Sequence, residues 1–459
     1  MGCEGSRGAC QFDRGARFTV VLAAIVLLDS PLGLAAQTSK SEPVDLRDVA
    51  FVGVQLIPMD RDRVLEDHSV LIRNGRIAEF GPRVEITIPS GVPQLSPPTG
   101  TVWYVMPGLA DMHVHMFDEG EMWLYLANGV TTVRNLHGIE LHLQWRSEIE
   151  AGKRTGPRIL TAGPILDGDP PFRATNTVVR TPEEARAEVR RQAGLGYDFI
   201  KIYDNISPEV YRALADEAQR QNIPMVGHLP TPVGFDGVLE TGGQKAIEHC
   251  EELVPFFRGL SEGELKNKVQ RLVDAGIWLG PTLTAWKWPI RQADPQVMAS
   301  IPWDYLNPST LETFQWATEP VSMSEPERAS RQRGYDLCDV ITREYHLAGG
   351  KLLAGSDSPL PALPPGYTLV EELEAFERLG LSPFDALATS TRAAAEFAGR
   401  SDEFGMIEPG LSADLLVLTA NPLETTSNLR KRVGVLVRGV WFSEQDLKQR
   451  LDTLAATYR

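Results

Sequence analysis

The sequence predicts an α/β fold: a (β/α)8 TIM-type barrel with a small β-sandwich built from both ends of the chain. Three features predict it. Strand-and-turn patterning fills the stretch from Val44 to about Val105 and returns near the C-terminus. Between these blocks, eight short apolar runs alternate with helical stretches. No Gly-rich dinucleotide turn supports an open, doubly wound sheet. A chain of 459 residues, 42% hydrophobic and 23% charged, has an ordinary globular composition and the length for one large domain plus a lesser one.

The first element stands apart from the fold. Arg7, Arg14 and Arg17 precede "FTVVLAAIVLL", which gives way to Ser30-Pro31 and the small residues "GLAAQT". This order predicts an export signal over 1–36, cleaved near Ala36, and hence a periplasmic or extracellular protein. The apolar run is shorter than the about 20 residues a spanning helix needs, so no stable membrane anchor is expected after cleavage. Cleavage would also remove Cys3 and Cys10. Cys250 and Cys338 alone make neither a disulfide framework nor a zinc ribbon. With 45 basic against 61 acidic residues the formal charge is −16 and no basic stretch stands out, which argues against a nucleic-acid partner.

Within 44–106, "SVLIRNGRIAEFG" holds two apolar strands around Asn74-Gly75, a strong hairpin signal. Within 404–446, "ADLLVL" and "GVLVRGVWF" read as strands of the same kind. Each block is too small to stand alone, so the two are expected to build the sandwich together. Over 107–400 the barrel strands are expected in "YVMPGLADMHVH", "GVTTVRNL", "RILTAGPIL", "YDFIKIYD", "PMVGHLP", "KAIEHC", "IWLGPTLT" and "KLLAGSDS". Thr181-Pro182-Glu183-Glu184 predicts a helix start with an N-cap, a first-turn proline and a capping-box glutamate; Ser207-Pro208 predicts another. The stretch from about Trp286 to Glu325, rich in Trp, Pro and Ser, is an insertion after the seventh strand. Long loops at that end of a barrel shape substrate pockets.

Residues with useful chemistry fall at strand ends. Alternate side chains of a strand share a face, so Asp111, His113 and His115 point one way, the histidine Cα atoms roughly 6–7 Å apart. That spacing lets both imidazoles lean onto one ion, and it equally suits two hydrogen-bonded polar residues. Lys201 shares a face of the fourth strand with Phe199 and Tyr203, with isoleucines opposite. Its bland alternative is a stem packed in the wall with its head in water. His228, His249 and Asp357 close the fifth, sixth and eighth strands. Each is weak alone; together they gather at the same end of five strands.

This constellation, with "SVLIRNGRIAEFG" and "MPGLADMHVH" at the start and "GMIEPGLSADLLVLTANPL" at the end, resembles the amidohydrolase superfamily. It is most similar to the branch of imidazolonepropionase and the prolidase-like Xaa-Pro dipeptidases, over nearly the whole mature chain. The resemblance implies two divalent ions, zinc by preference. One would be held by His113, His115 and Asp357 and the other by His228 and His249, with carboxylated Lys201 bridging them. It further implies hydrolysis of an amide-type C–N bond in a small molecule: an N-acyl amino acid, a dipeptide or a cyclic amide. A metal-bridging hydroxide would attack, and Asp357 would carry the proton to the leaving nitrogen.

Physical reasoning supports the bridge: an ammonium beside two dications is repelled, and a neutral amine can take up carbon dioxide. Tyr203 and His137 are expected to bind substrate, although Tyr203 could be core and His137 a surface residue. Arg173, in "PPFRAT", could hold a carboxylate or simply be solvated. Asp111 is expected to orient one of the histidines. His68 and His142 carry no assigned role. One departure matters: the dipeptidase-like relatives often carry His-Gly after the eighth strand, whereas "LPALPPGYTLVEEL" has no histidine, which puts dipeptide specificity in doubt. A phosphotriesterase or lactonase could use the same metal site, and a silent barrel could serve as a binding scaffold. Self-association into a homo-oligomer is left open.

Overall fold

The computed structural model describes Val44, Asp45 and residues 47–459, so the export signal expected over 1–36 lies outside the described residues. Among them, no helix is long and apolar enough to cross a membrane. The hairpin predicted at Asn74-Gly75 forms: Leu65–Arg73 pairs antiparallel with Arg76–Pro82, and both turn residues take positive φ (51° and 71°). Gly75 is required there twice over, because a Cβ would also lie 2.9 Å from the carbonyl oxygen of Arg438. That contact brings the two ends of the chain together.

Hydrogen bonding joins strands from both ends in one nine-stranded sheet. The C-terminal strand Leu415–Leu418 pairs antiparallel with Tyr104–Pro107, which in turn pairs parallel with Val49–Leu56. Arg432–Val437 and Val440–Ser443 extend the sheet on the far side. Phe51, Val70, Val105, Leu415, Val417 and Leu436 close one buried layer on it. Beyond Ser443 the chain continues into a helix, Glu444–Thr457, which the expected boundary at 446 would have cut.

The central part is parallel α/β. Leu109–Val114, Val130–Asn135 and Arg158–Thr161 make one parallel sheet. Ile200–Ile202, Met225–Gly227, Gln244–Glu248 and Trp278–Gly280 run in order through a second, with the short strands Leu166–Asp167 and Thr177–Val178 at its edge. Parallel bridges link Ala162 to Phe199, Leu279 to Leu352, and Val114 to Ser358. Met112, Leu160, Phe199, Val226, Ala246, Trp278 and Leu353 meet in one buried cluster.

The eighth expected strand, 351–358, is corrected: it is an extended segment with bridges only at Leu352 and Ser358. Side chains and tight approaches explain the loss of a regular ladder. Asp111 Oδ1 takes the Ser356 N–H at 2.9 Å, and a Cβ on Gly355 would stand 2.5 Å from that of His113. The long strand expected over "YVMPGLADMHVH" is also split: Tyr104–Pro107 belongs to the end sheet and Leu109–Val114 to the parallel one. Both predicted helix starts form, over Pro182–Leu195 and Pro208–Arg220, capped by Thr181 and Ser207. The capping box is one-sided, because Glu184 accepts from the Arg180 N–H instead of reaching back to Thr181. The insertion folds as short helices between Leu283 and Thr313. Its Trp316 indole donates to the Pro359 carbonyl at 2.8 Å, seating it on the loop that follows Asp357.

Candidate metal centre

The parallel strands end where the chain has its histidines. His113 is the fifth residue of Leu109–Val114 and His115 follows the strand; Lys201 is the middle residue of Ile200–Ile202; His228 and His249 each follow a strand end. Three strand-end or loop positions here hold non-glycine residues in the left-handed region: His249 (φ 70°), Thr282 (φ 46°) and Asp357 (φ 53°). Such backbones are costly for side-chain-bearing residues and persist where the surroundings fix them. Gly227, before His228, has φ 136°, and a Cβ there would lie 2.2 Å from the Ile202 carbonyl oxygen. The Lys201 and His228 strands therefore approach as only glycine allows.

His113, His115 and Asp357 present ligand atoms that all lie within 4.8 Å of one another. Asp357 Oδ1 is 2.9 Å from His115 Nε2 and 3.3 Å from His113 Nε2, and its Oδ2 is 3.8 Å from His249 Nδ1. The rings of His113 and His249 are 4.5 Å apart and those of His249 and His228 4.8 Å. Lys201 is 1% exposed, and its Nζ has no hydrogen-bond partner. The same is true of His113 Nε2, His228 Nε2 and Asp357 Oδ1. Buried polar atoms rarely go unsatisfied, so several in one place mark a site that takes up something else.

Burial dominates the electrostatics. It pulls His113 and His249 well below the ordinary imidazole range, pulls His115 down, and lowers Lys201 to about 8. All three histidines are thereby held neutral, the form that binds a metal. Burial would raise Asp357, but His113, His249 and His115 outweigh it and hold the carboxyl well below the usual range. His228 differs: burial lowers it, but Glu252 and Asp204 overcome that and push it up to about 9. Asp204 Oδ1 is 2.9 Å and Glu252 Oε1 3.3 Å from its Nδ1, leaving Nε2 free toward the other histidines. These three residues form a second cluster with ligand-like spacing; with both carboxylates on Nδ1, they orient the ring.

Two of the other rings have such a partner, whereas the Nδ1 of His115 has none among the described residues. His249 Nδ1 is 2.7 Å from the Thr282 hydroxyl, and His113 Nδ1 is 3.2 Å from Glu248 Oε2. Glu248, fully buried, receives a hydrogen bond from the equally buried Arg134 at 2.6 Å. Glu248, Arg134, Asp204, Glu252 and Thr282 had no role in the sequence reading. For Arg134 and Glu248 a weak signal existed, a charge of each sign within the expected strands "GVTTVRNL" and "KAIEHC", but nothing in the sequence pairs them. The expectation for Asp111 is corrected: its Oδ1 accepts the backbone N–H groups of Ser356 and His113 and orients no imidazole.

At the mouth, Tyr203 lies against His228 with ring centroids 3.8 Å apart, and the His137 ring is 6.2 Å from that of His115. Burial raises the Tyr203 phenol, keeping it a donor, and lowers His137 to about 3, keeping it neutral. His142 is buried and ties the Ile139 N–H to the Met116 carbonyl, while His68 sits in the end sheet.

The profile of the amidohydrolase family matches residues 104–442. The ochratoxinase of Aspergillus niger is 24% identical over 447 residues, covering 82% of each chain. The solved structure of a bottromycin amidohydrolase superposes with a TM-score of 0.73 at 26% identity, covering 90% of this chain and 91% of that one. A Xaa-Pro dipeptidase with bound methionine shares the fold, with a TM-score of 0.66 at 20% identity over 86% of this chain and all of the other.

Proposed function

The chain belongs to the amidohydrolase family and is a hydrolase acting on carbon–nitrogen bonds, and from that premise we propose that it is an exported, binuclear-metal amidohydrolase of small amides. The observation that carries this reading is the group of buried, unpartnered atoms on His113, His228, Lys201 and Asp357. Three neutral histidines, a fourth ring backed by two carboxylates, an ionised carboxylate and a partly neutral amine fit divalent ions of the zinc type. His113, His115 and Asp357 would hold one ion, His228 and His249 the other, and Lys201 would join them as a carbamate. The amine adds to carbon dioxide through its lone pair and releases one proton, which a lysine lowered to about 8 does readily. When bound, such ions supply Lewis acidity toward a carbonyl and lower the pKa of water toward neutrality.

The chain's own groups do the rest. Asp357, held ionised, accepts a proton and passes it to the departing nitrogen. Tyr203 donates a hydrogen bond to the substrate, and neutral His137 can donate or accept beside it. The three bridges at Ala162, Leu279 and Val114 support a closed (β/α)8 barrel, with the nine-stranded sheet as the accompanying sandwich. Substrates of this reading are N-acyl amino acids, dipeptides and cyclic amides; relatives named as an ochratoxinase and a bottromycin amidohydrolase support it.

Metal analysis of the purified protein, followed by a screen of the metal-loaded enzyme against amides and matched esters, tests the proposal. Near two ions per chain with amide turnover supports it; a metal-free protein, or one that cleaves only esters, overturns it.

A further inference from the structure

Glu372 is a fully buried carboxylate on the helix Tyr367–Arg378, which follows the Asp357 loop. Its oxygens reach across to the segment after the strand Trp278–Gly280. There Oε1 accepts the Leu283 N–H and Oε2 the Thr284 N–H, each at 2.8 Å. These residues open the insertion, and the residue before them is Thr282. Gly280-Pro281-Thr282 runs beside His249-Cys250: the His249 N–H donates to the Gly280 carbonyl at 2.8 Å and the Cys250 N–H to the Pro281 carbonyl at 3.0 Å. The Thr282 hydroxyl then lies 2.7 Å from His249 Nδ1.

Thr282 is the odd residue in this run of contacts. Its backbone is left-handed (φ 46°, ψ 47°), where glycine is at ease and a β-branched residue is strained. Glycine would suit the backbone but has no hydroxyl to offer His249. Such a conformation persists when its surroundings over-determine it. The bonds from His249 and Cys250 fix it on one side, and Glu372 holds the next two N–H groups on the other. Both of those donors are main-chain N–H groups, which the two oxygens of a carboxylate satisfy together; a glutamine would turn its NH2 toward one of them. The neighbouring Glu371 instead pairs with Arg291 of the insertion at 2.5 Å.

We propose that Glu372 is a positioning residue of the hydrolase. By fixing Leu283 and Thr284 it sets the Thr282 hydroxyl and, through it, the plane of the His249 ring. It therefore governs the ion site of His228 and His249 and leaves that of His113, His115 and Asp357 alone. This rests on the two-ion reading and deepens it.

The test uses the metal-free full chain and its stepwise reloading with zinc. With the imidazoles labelled with nitrogen-15, Glu372→Gln and Thr282→Val should shift the same His249 ring signal and leave those of His113 and His115 in place. One of the two stepwise zinc affinities should fall by about 10-fold or more, and the other by less than about threefold. Thr282→Ser keeps a hydroxyl and should retain both affinities. The Glu372→Gln/Thr282→Val double variant should be no worse than the worse single, because both act along one path. Glu371→Gln, which frees Arg291, should move neither the ring signal nor the affinities. Equal loss of both ions in Glu372→Gln, or the same losses in Glu371→Gln, would make Glu372 a seat for the insertion alone and overturn the proposal. Should Glu372→Gln fail to fold, Thr282→Val decides, and an unmoved His249 signal with undiminished zinc affinity removes the path. The ring signal is read without metal, so it stands apart from the two-ion reading, which falls if the wild-type chain takes up fewer than two zinc ions.

Discussion

Glu248 Oε2 stands 3.2 Å from Nδ1 of His113, and that contact ties a metal-facing ring to a fully buried carboxylate. The Nδ1–H donates to Glu248 and leaves Nε2 as the lone pair directed at Asp357. Gly280 makes room for it, since a Cβ there would lie 2.4 Å from the same carboxylate. Glu248→Gln keeps the volume but leaves the Arg134 guanidinium buried without a counter-charge, which should cost about 3–5 kcal/mol. Metal affinity should fall by about 10–100-fold, because the His113 ring loses its partner. Urea unfolding and chelator competition read the two effects, and a Glu248→Gln/Arg134→Met double variant should regain much of the stability. Additive losses in the double variant would deny the pairing.

Lys201 should take up carbon dioxide faster as pH rises. Burial lowers its amine to about 8, so the neutral, reactive fraction grows steeply between about pH 7 and pH 9. Carbon-13-labelled carbon dioxide should give a carbamate signal during metal reconstitution, and at constant dissolved carbon dioxide the initial rate should follow that titration. Lys201→Ala should lose metal and activity, with partial recovery in short carboxylic acids. Two tightly held ions in the alanine variant would make Lys201 a structural residue only.

Asp357→Asn keeps the shape and one oxygen but removes the basicity. Turnover should drop by about 10²–10⁴-fold. Metal content should suffer less than in His113→Ala, because the remaining histidines and Lys201 are untouched. Near wild-type turnover with both ions bound would falsify the proton-transfer role and move attention to His137.

Asp111 should impose a pH slope on the metal-free protein. Burial raises its carboxyl to about 7, so the folded state binds a proton that the unfolded chain has released. Stability is therefore greatest below about pH 4 as far as this group is concerned, and is lost as pH rises toward about 7. Asp111→Asn retains the oxygen that accepts from Ser356 and His113 and puts an amide at the unpartnered Oδ2. Its unfolding midpoint should lack that component of the slope. Parallel profiles for wild type and variant across pH 5 to 7.5 would remove Asp111 as the cause.

Export is tested by N-terminal sequencing of protein recovered outside the cytoplasm, which should begin near Gln37. An intact Met1 in the membrane fraction would replace the cleaved signal with an anchor.

The residues brought together at the centre were legible because their signals are local. His113 and His115 alternate on one strand, Lys201 interrupts an apolar strand, and His228, His249 and Asp357 each close an apolar run. Their supports were not, because the pairing of Arg134 with Glu248 spans 114 residues and depends on strand order. Asp204, Glu252 and Thr282 read as ordinary loop residues until folding places them on a ring nitrogen. The eighth strand failed for a related reason. "KLLAGSDS" has the apolar run of a strand, but the Ser356 N–H goes to the Asp111 carboxylate and the Ala354 N–H to the Thr389 carbonyl, contacts that no periodicity encodes.

The pairing of Tyr104–Pro107 with Leu415–Leu418 also dictates when this protein can finish folding. During synthesis the hairpin at Asn74-Gly75 can close at once, but the edge of Tyr104–Pro107 stays bare until nearly the whole chain has emerged. Long-range pairing of this kind is slow, and an unpaired strand edge invites association with other chains. A truncation before Leu415 should therefore yield an aggregating chain, and export before that point would carry the protein across a membrane still unfolded. Full-length release is the event that lets the two ends meet.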